Sequence, residues 1–90
     1  MIDLNDYYYF VQVVEKKGFT AAASALNMPK SRLSRHVSKL EERLDVKLIQ
    51  RTSRQFNITE TGQIFYQHAR VLLDEMEAAE AAIESRKTTL

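Results

Sequence analysis

The sequence predicts a mainly α fold in which a helix-turn-helix of three helices is followed by a small two-stranded hairpin and a long C-terminal helix. Three observations support this prediction. An amphipathic pattern over residues 29–44 indicates one basic helix, short β-prone runs over residues 46–58 indicate the hairpin, and nothing breaks the helical pattern between Gly62 and residue 85. Ninety residues are enough for one small domain.

The composition is that of an ordinary globular protein, with 44% hydrophobic and 28% charged residues. There is no cysteine, which excludes disulfides and thiolate metal sites and is compatible with a reducing compartment. No apolar run approaches the roughly 20 residues that a membrane-spanning helix needs, and the acidic, polar N-terminus is unlike a signal peptide. We therefore expect a cytoplasmic protein with no membrane segment.

The first helix is predicted over residues 3–17, with Asp3 or Asn5 as its N-cap and Gly18 at its end. Its apolar side consists of Leu4, Tyr7, Phe10, Val11 and Val14. Tyrosines at three consecutive positions cannot all face one core, because neighbouring helical residues diverge by about 100°. One of them is therefore expected at the surface or at a subunit contact.

The second helix is predicted over residues 19–26, with Thr20 as its cap and a patch of alanines that allows close approach of another helix. Pro29 suits the first turn of the next helix and biases Met28 away from helical angles. Residues 27–29 are therefore predicted to form the turn of the helix-turn-helix.

The third helix has one apolar stripe and one basic face. The stripe repeats at intervals of 4, 3 and 4 residues and must be buried: Leu33, Val37, Leu40 and Leu44. The opposite face and its flanks carry cations and hydroxyl groups: Ser31, Arg32, Ser34, Arg35, Ser38 and Lys39. Residues 1–58 contain ten Lys/Arg and six Asp/Glu, whereas residues 59–90 contain three and six. This concentration of positive charge predicts an anionic partner such as a phosphate backbone.

The hairpin is predicted to pair residues 46–51 with residues 55–58. Because a two-stranded hairpin is marginally stable alone, we expect two of its side chains to pack on the helices, Leu48 and Ile58. It would project Arg51 and Arg54 beside the third helix, as a wing does. An arginine at that place can enter a narrow minor groove, where the potential is most negative.

The last helix is predicted to begin after Thr59, its cap, with Glu60 favourably placed at the positive end of the helix dipole. Six apolar residues follow a heptad spacing and predict a seam between two copies of the chain: Phe65, Ala69, Leu72, Met76, Ala79 and Ile83. A second apolar group can pack back on the first helix: Ile64, Tyr66, Val71 and Leu73. A parallel and an antiparallel pair both fit the seam, and packing within one chain is the alternative.

The chain resembles the N-terminal domain of LysR-type transcriptional regulators from about Asp3 to Ala82. Four motifs match in order and spacing: Phe19-Thr-Ala-Ala-Ala-x-x-Leu26, Ser31-x-x-Ser34-Arg35-x-x-x-x-Leu40-Glu41-x-x-Leu44, Leu48-x-x-Arg51 and Thr59-x-x-Gly62. The resemblance implies a winged helix-turn-helix over residues 1–58 and a dimerising linker helix over residues 59–90. It also implies that an effector-binding domain, absent from this chain, would bind the small molecule of a longer regulator.

The resemblance implies a set of residues that read the DNA groove: Lys30, Ser31, Ser34 and Arg35. It places Arg54 on the wing and Thr20 near the phosphates. Together with the charge pattern, it leads us to predict base contacts from Ser34 and Arg35, and phosphate contacts from Lys30, Arg32, Lys39 and Thr20. Lys30 could contact either a base or a phosphate.

The sequence departs from the family pattern at three places. Asp45 stands where the family usually has glycine, Ile49 where phenylalanine is common, and Pro29-Lys30 where Ser-Gln or Ser-Pro is common. The first departure could strain the turn after the third helix, and the second could loosen packing under the wing. Neither the first nor the second touches the predicted DNA face.

The predicted function is sequence-specific binding of double-stranded DNA by a dimer on a dyad-symmetric site, with residues 30–44 in the major groove and the wing in the minor groove. A higher oligomer of the full-length regulator is left open. The alternative is a winged-helix module that binds other proteins. An enzyme is the least favoured of the three interpretations. His36 and His68 are the only histidines, and Ser34 faces away from His36, so the sequence offers no nucleophile paired with a base. We expect no cofactor or metal.

Overall fold

The computed structural model describes residues 2–51 and 54–87. Within these ranges the elements are α1 Leu4–Glu15, α2 Phe19–Leu26, α3 Lys30–Leu44, β1 Ile49–Gln50, β2 Asn57–Ile58 and α4 Glu60–Lys87. The mainly α, winged helix-turn-helix fold with a long last helix is confirmed. None of the described helices is long and apolar enough to cross a membrane.

The core lies where α1, α2 and α3 meet above the wing. Its buried residues are Phe10, Val13, Ala22, Ala23, Leu33, Val37, Leu40, Leu48 and Ile49. The α3 stripe is buried as predicted, except that Leu44 at its end is only partly covered. The small side chains of Ala22 and Ala23 let α2 lie close to α3. Ile49, where phenylalanine is common, is 3% exposed and belongs to this core.

The junction between α1 and α2 differs from the prediction. Asp3 caps α1 and accepts a hydrogen bond from the backbone N–H of Asn5, but the helix ends at Glu15, before Gly18. Lys17 and Gly18 then take positive φ angles of 59° and 153°. Gly18 is the N-cap of α2, so the prediction of Thr20 as its cap is wrong. The left-handed backbone turns the chain without help from a side-chain oxygen.

Short polar residues end α2 and α3, and a proline precedes α3. Asn27 and Asp45 close α2 and α3 in the left-handed conformation, at φ angles of 53° and 57°. Asp45 therefore replaces the expected glycine without preventing the turn, since aspartate and asparagine tolerate this conformation. Pro29 is the extended N-cap residue of α3, one position before the predicted first turn.

The wing is shorter than predicted, with two residues in each strand. Ile49 pairs with Ile58 and Gln50 with Asn57 in antiparallel register. The predicted turn includes residues 52 and 53, which lie outside the described residues. The short ladder continues into α4 through Thr59, whose hydroxyl donates to the Lys47 carbonyl at 2.7 Å. Leu48 and Ile58 lie on the core side, as predicted.

Thr59 also caps α4, as predicted, because its hydroxyl oxygen accepts a hydrogen bond from the Gly62 N–H at 2.9 Å. Gly62 lies directly against the wing. A Cβ atom at this position would collide with the carbonyl oxygen of Leu48 and lie 2.7 Å from the side chain of Ile58. A glycine is therefore required here for close packing rather than for an unusual backbone angle.

The first turns of α4 pack on α1, and this corrects two positions of the predicted seam. Phe65 lies 5.1 Å from Tyr7 and 5.5 Å from Phe10, measured between ring centroids. Ala69 is 1% exposed and forms a buried cluster with Val11 and Leu73. Ala69 is therefore not available to a partner helix, whereas Phe65 is half-buried against α1.

The second predicted group on α4 is divided. Leu73 is buried and Tyr66 is half-buried against α1, as predicted, whereas Ile64 and Val71 are 55% and 67% exposed. The buried row repeats at intervals of four residues, which is the ridge used when two helices cross at an angle. A heptad spacing is typical of two nearly parallel helices. The prediction based on it therefore assigned Phe65 and Ala69 to a partner helix, whereas they pack on α1.

A polar network joins the C-terminal end of α1 to α4. The carboxylate of Glu15 accepts hydrogen bonds from the Tyr66 hydroxyl at 2.7 Å and from Arg70 at 3.0 Å. Burial would raise the pKa of Glu15, but these two hydrogen bonds and the charges of Arg70 and Lys16 together outweigh it, and the pKa lies below its ordinary value. The same hydrogen bond to Glu15 raises the pKa of Tyr66. Arg70 also pairs with Asp74 and Glu77 along α4.

We expect Gly62→Ala to lower the free energy of unfolding by about 1–3 kcal/mol, because the added methyl group overpacks the contact with the wing. Helix propensity alone predicts a gain of about 1 kcal/mol, so the sign of the change separates the two effects. Urea denaturation followed by circular dichroism measures it. Gln63→Ala, at the exposed neighbouring position, is the control. A stabilised Gly62→Ala variant would contradict the close contact.

Candidate nucleic-acid interface

The outer face of α3 presents the cations and hydroxyl groups that the sequence predicted for DNA. Five of these side chains are exposed: Lys30, Ser31, Arg32, Arg35 and Lys39. Ser34 is half-buried. The side chains behind this face are fully buried, so the helix is held by its apolar stripe and its polar groups point to solvent.

A cleft of about 700 Å³ opens between the start of α2, the start of α3 and the wing. Its lining includes four cations, Lys17, Lys30, Arg51 and Arg54, and the hydroxyl groups of Thr20 and Ser34. The structure therefore brings together predicted site residues that are up to 34 positions apart in the chain, from Thr20 to Arg54. Arg32 instead lies beside Met28 at a second depression. Lys39 lies farther along α3, next to Glu42.

Arg51 does not project from the wing, and that prediction is wrong. Its side chain folds back toward α3, where Nη1 donates a hydrogen bond to Ser34 Oγ at 2.6 Å. Its guanidinium carbon lies 4.6 Å from the ring centroid of Phe19, and Nη2 lies 3.7 Å from Glu41 Oε1. Arg54 is exposed at the end of the wing, as predicted. Arg51 thus links α2, α3 and the wing.

Glu41 is a buried carboxylate whose role the sequence analysis missed. It is 4% exposed, and its Oε2 accepts hydrogen bonds from the backbone N–H groups of Leu48 at 2.8 Å and Ile49 at 3.1 Å. These two donors are the first residues of the wing, so the carboxylate attaches the wing to α3. Its position four residues after Val37, at the edge of the apolar stripe, was the available signal.

His36 connects α3 to α1 on the side away from the wing. Its Nδ1 lies 3.0 Å from Asp6 Oδ1, and its ring centroid lies 4.8 Å from that of Tyr9. His68 is exposed on α4. Among the described residues, no group of three or more His, Cys, Asp or Glu side chains could hold a metal ion. His36 is thus a partly buried side chain packed against α1, and His68 is a surface side chain.

The later part of α4 carries an exposed apolar stripe. Leu72 is 41% exposed, Met76 49% and Ile83 58%, and Ala79 lies between the last two. These are the four remaining positions of the predicted seam. The described part of the chain leaves them uncovered, and pairing with a second copy stays a prediction.

Comparison with known protein families finds a match over residues 4–63, to the family described as bacterial regulatory helix-turn-helix protein, lysR family. An HTH-type transcriptional regulator of Xanthomonas campestris is 44% identical over 81 residues, which cover 90% of this chain and 24% of that protein. The regulator CrgA of Neisseria meningitidis is 49% identical over 71 residues, covering 79% and 24%. The chain thus spans about a quarter of the length of the curated relatives it matches.

Solved structures are similar over nearly the whole chain. The BenM_DBD in a catB site 1 DNA complex superimposes with a TM-score of 0.90 at 35% identity, covering 99% of this chain and all of that one. CrgA of Neisseria meningitidis superimposes with a TM-score of 0.80 at 41% identity, covering 94% of this chain and 29% of that one. The similarity to BenM_DBD includes the long last helix, because both chains are covered almost completely.

We expect Glu41→Gln to lower the free energy of unfolding by about 1–3 kcal/mol, because the amide keeps one acceptor oxygen and its NH2 group must face either the wing N–H groups or the guanidinium group of Arg51. Urea denaturation measures the change. The matched control is Glu42→Gln at the exposed neighbouring position, with an expected change within about 0.5 kcal/mol. Equal losses in the two variants would contradict the role assigned to the buried carboxylate.

Proposed function

The chain belongs to the LysR family of bacterial helix-turn-helix regulators, and from this we propose that it is the DNA-binding part of a longer transcriptional regulator. In this proposal α3 enters the major groove of duplex DNA and the wing approaches the adjacent minor groove. The observation that carries the proposal is the common face formed by the start of α2, the start of α3 and the wing, where cations from separate elements converge. The similar BenM_DBD structures are DNA complexes.

Base reading is proposed for Arg35 and Ser34, with Ser31 and Lys30 at the N-terminal end of the same helix. Arg35 is exposed and long enough for a bidentate contact with guanine O6 and N7, the commonest specific contact in the major groove. Exposure of the Arg54 side chain at the wing supports a minor-groove contact there.

Phosphate contacts are proposed for four exposed residues that flank the groove-reading face: Thr20, Lys30, Arg32 and Lys39. Contacts of this kind position the protein without reading sequence, and they make binding depend on salt. The division of charge along the chain supports this arrangement, since the basic excess lies in residues 1–58. A regulator that binds bacterial DNA acts in the cytoplasm, which is the location we propose.

We also propose that two copies pair through α4 and read a dyad-symmetric site. The exposed apolar stripe from Leu72 to Ile83 supports pairing, because exposed apolar side chains in heptad register form helix pairs. A small-molecule effector would act through a domain outside this chain, and the full-length regulator could assemble further.

No observation favours the alternative of a module that binds other proteins. Such a module would present apolar side chains on the outer face of α3, but the apolar residues of this helix are buried or half-buried: Leu33, Val37, Leu40 and Leu44. The matched relatives are named as transcriptional regulators, which favours a regulatory over an enzymatic role.

We expect Arg35→Ala to weaken binding to the cognate duplex by about 1–3 kcal/mol and to relax one base position, because a base contact is lost. Lys39→Ala should weaken binding to all sequences and reduce the salt dependence, because a phosphate contact is lost. Fluorescence anisotropy with a duplex selected from random DNA, and with a scrambled duplex, measures both effects at stated salt. If both variants lost the same affinity on both duplexes, the division of roles would be wrong.

We expect Met76→Glu to shift the dimer toward monomer, because a carboxylate in an apolar helix pair loses its hydration. Sedimentation velocity over a range of concentrations measures the shift. Gln67→Glu adds the same charge at an exposed α4 position outside the seam, and it should leave association unchanged. A monomeric wild-type chain, or equal effects of the two substitutions, would contradict pairing through the seam.

A further inference from the structure

We propose that Arg51 is a positioning residue that fixes the Ser34 hydroxyl as a hydrogen-bond donor toward the major groove, so that the base facing Ser34 is selected against cytosine. The inference rests on the proposed function and deepens it. It predicts which bases Ser34 can bind, and it attributes the orientation of the Ser34 hydroxyl group to Arg51, a residue of the wing. The base itself would be contacted by Ser34 alone.

The hydrogen bond between these two residues has only one direction. Arg51 Nη1 lies 2.6 Å from Ser34 Oγ. A guanidinium group has five N–H donors and no acceptor, and it keeps its charge at any physiological pH. The serine oxygen must therefore accept, and its single proton must point away from Arg51.

Arg51 cannot easily leave this position, because it has two further partners. Its guanidinium group lies over the ring of Phe19 at 4.6 Å and near Glu41 Oε1 at 3.7 Å. Glu41 is itself buried and held by backbone N–H groups of the wing. The side chain of Arg51 is 35% exposed, so solvent only partly competes for its donors.

Ser34 lies on the face that the proposed function directs into the major groove. The residue is on α3 directly before the exposed Arg35, and it lines the cleft between α3 and the wing. A serine hydroxyl has one proton and two lone pairs, and Arg51 occupies one lone pair with a charge-assisted hydrogen bond. This bond draws electron density from the oxygen, which makes the O–H group a better donor and the oxygen a poorer second acceptor.

A donor discriminates among the four bases in the major groove. Guanine offers O6 and N7, adenine offers N7 and thymine offers O4 as acceptors, whereas cytosine offers only its N4 amino group, a donor. A donor that faces another donor leaves both unsatisfied. Because the oxygen already accepts from Arg51 and is a poorer second acceptor, the hydroxyl of Ser34 binds cytosine more weakly than the other three bases.

The test measures binding to duplexes that differ at single positions of a site selected from random DNA. The position read by Ser34 is the one at which Ser34→Ala changes the base preference. At this position we expect the wild-type chain to bind cytosine about five- to tenfold more weakly than the other bases, the loss typical of one unmatched hydrogen bond. Ser34→Ala should reduce this ratio to about twofold or less.

Two substitutions at Arg51 separate its orienting role from its charge. In Arg51→Gln the amide oxygen can accept the Ser34 proton, which frees the serine to accept from cytosine, so the cytosine penalty should fall below about twofold. Arg51→Lys keeps a side chain that only donates, so the penalty should persist. Thermal melts followed by circular dichroism establish whether each variant folds. If Arg51→Gln does not fold, Arg51→Lys and Ser34→Ala decide the matter.

Ser31 supplies the matched control, since it is an exposed serine of the same helix outside the Arg51 contact. The effects of Ser31→Ala and Arg51→Gln on base preference should add, whereas those of Ser34→Ala and Arg51→Gln should not. The inference is overturned if Ser34→Ala alters no position, if cytosine is preferred there, if folded Arg51→Gln keeps the full penalty, or if Arg51→Lys loses it. A wild-type chain that binds no duplex at low salt would overturn the proposed function as well.

Discussion

The arrangement of the whole interface depends on one buried carboxylate. Glu41 accepts two backbone hydrogen bonds from the first residues of the wing, and it lies within 3.7 Å of Arg51. A buried charge is tolerated only when it is paired and hydrogen-bonded. The carboxylate of Glu41 therefore holds the wing in one position against α3. The wing has only two residues in each strand and could not hold this position by its own ladder.

Helix α3 is consequently held from three sides. Its apolar stripe enters the core, His36 contacts Asp6 of α1, and Glu41 contacts the wing. Such support lets the remaining face consist almost entirely of cations and hydroxyl groups, which contribute little to folding. Side chains on this face can then vary in identity without disturbing the scaffold, because the proposed DNA contacts lie on a face that the core does not use.

The last helix packs on its own domain over its first turns and carries an exposed apolar stripe over the rest. Its first turns complete the domain through Phe65 and Ala69 and through the network of Glu15, Tyr66 and Arg70. Beyond Leu73 the described helix extends away from the domain, with its apolar side chains exposed. A straight helix with 3.6 residues per turn cannot keep one face on a crossing neighbour and also maintain a heptad seam over its whole length. Packing on α1 and the proposed pairing of two copies therefore use successive parts of α4.

The sequence by itself determined the helix order, the buried stripe of α3 and the basic outer face, because these follow from local periodicity and charge, which each segment carries alone. Thr59 as a cap was predictable for the same reason. Only the tertiary structure decided that Phe65 and Ala69 face α1, that Arg51 turns back to Ser34, and that Glu41 is buried. These positions depend on crossing angles and on partners distant in sequence, and no local pattern encodes which of two apolar faces, or which of several carboxylates, meets such a partner.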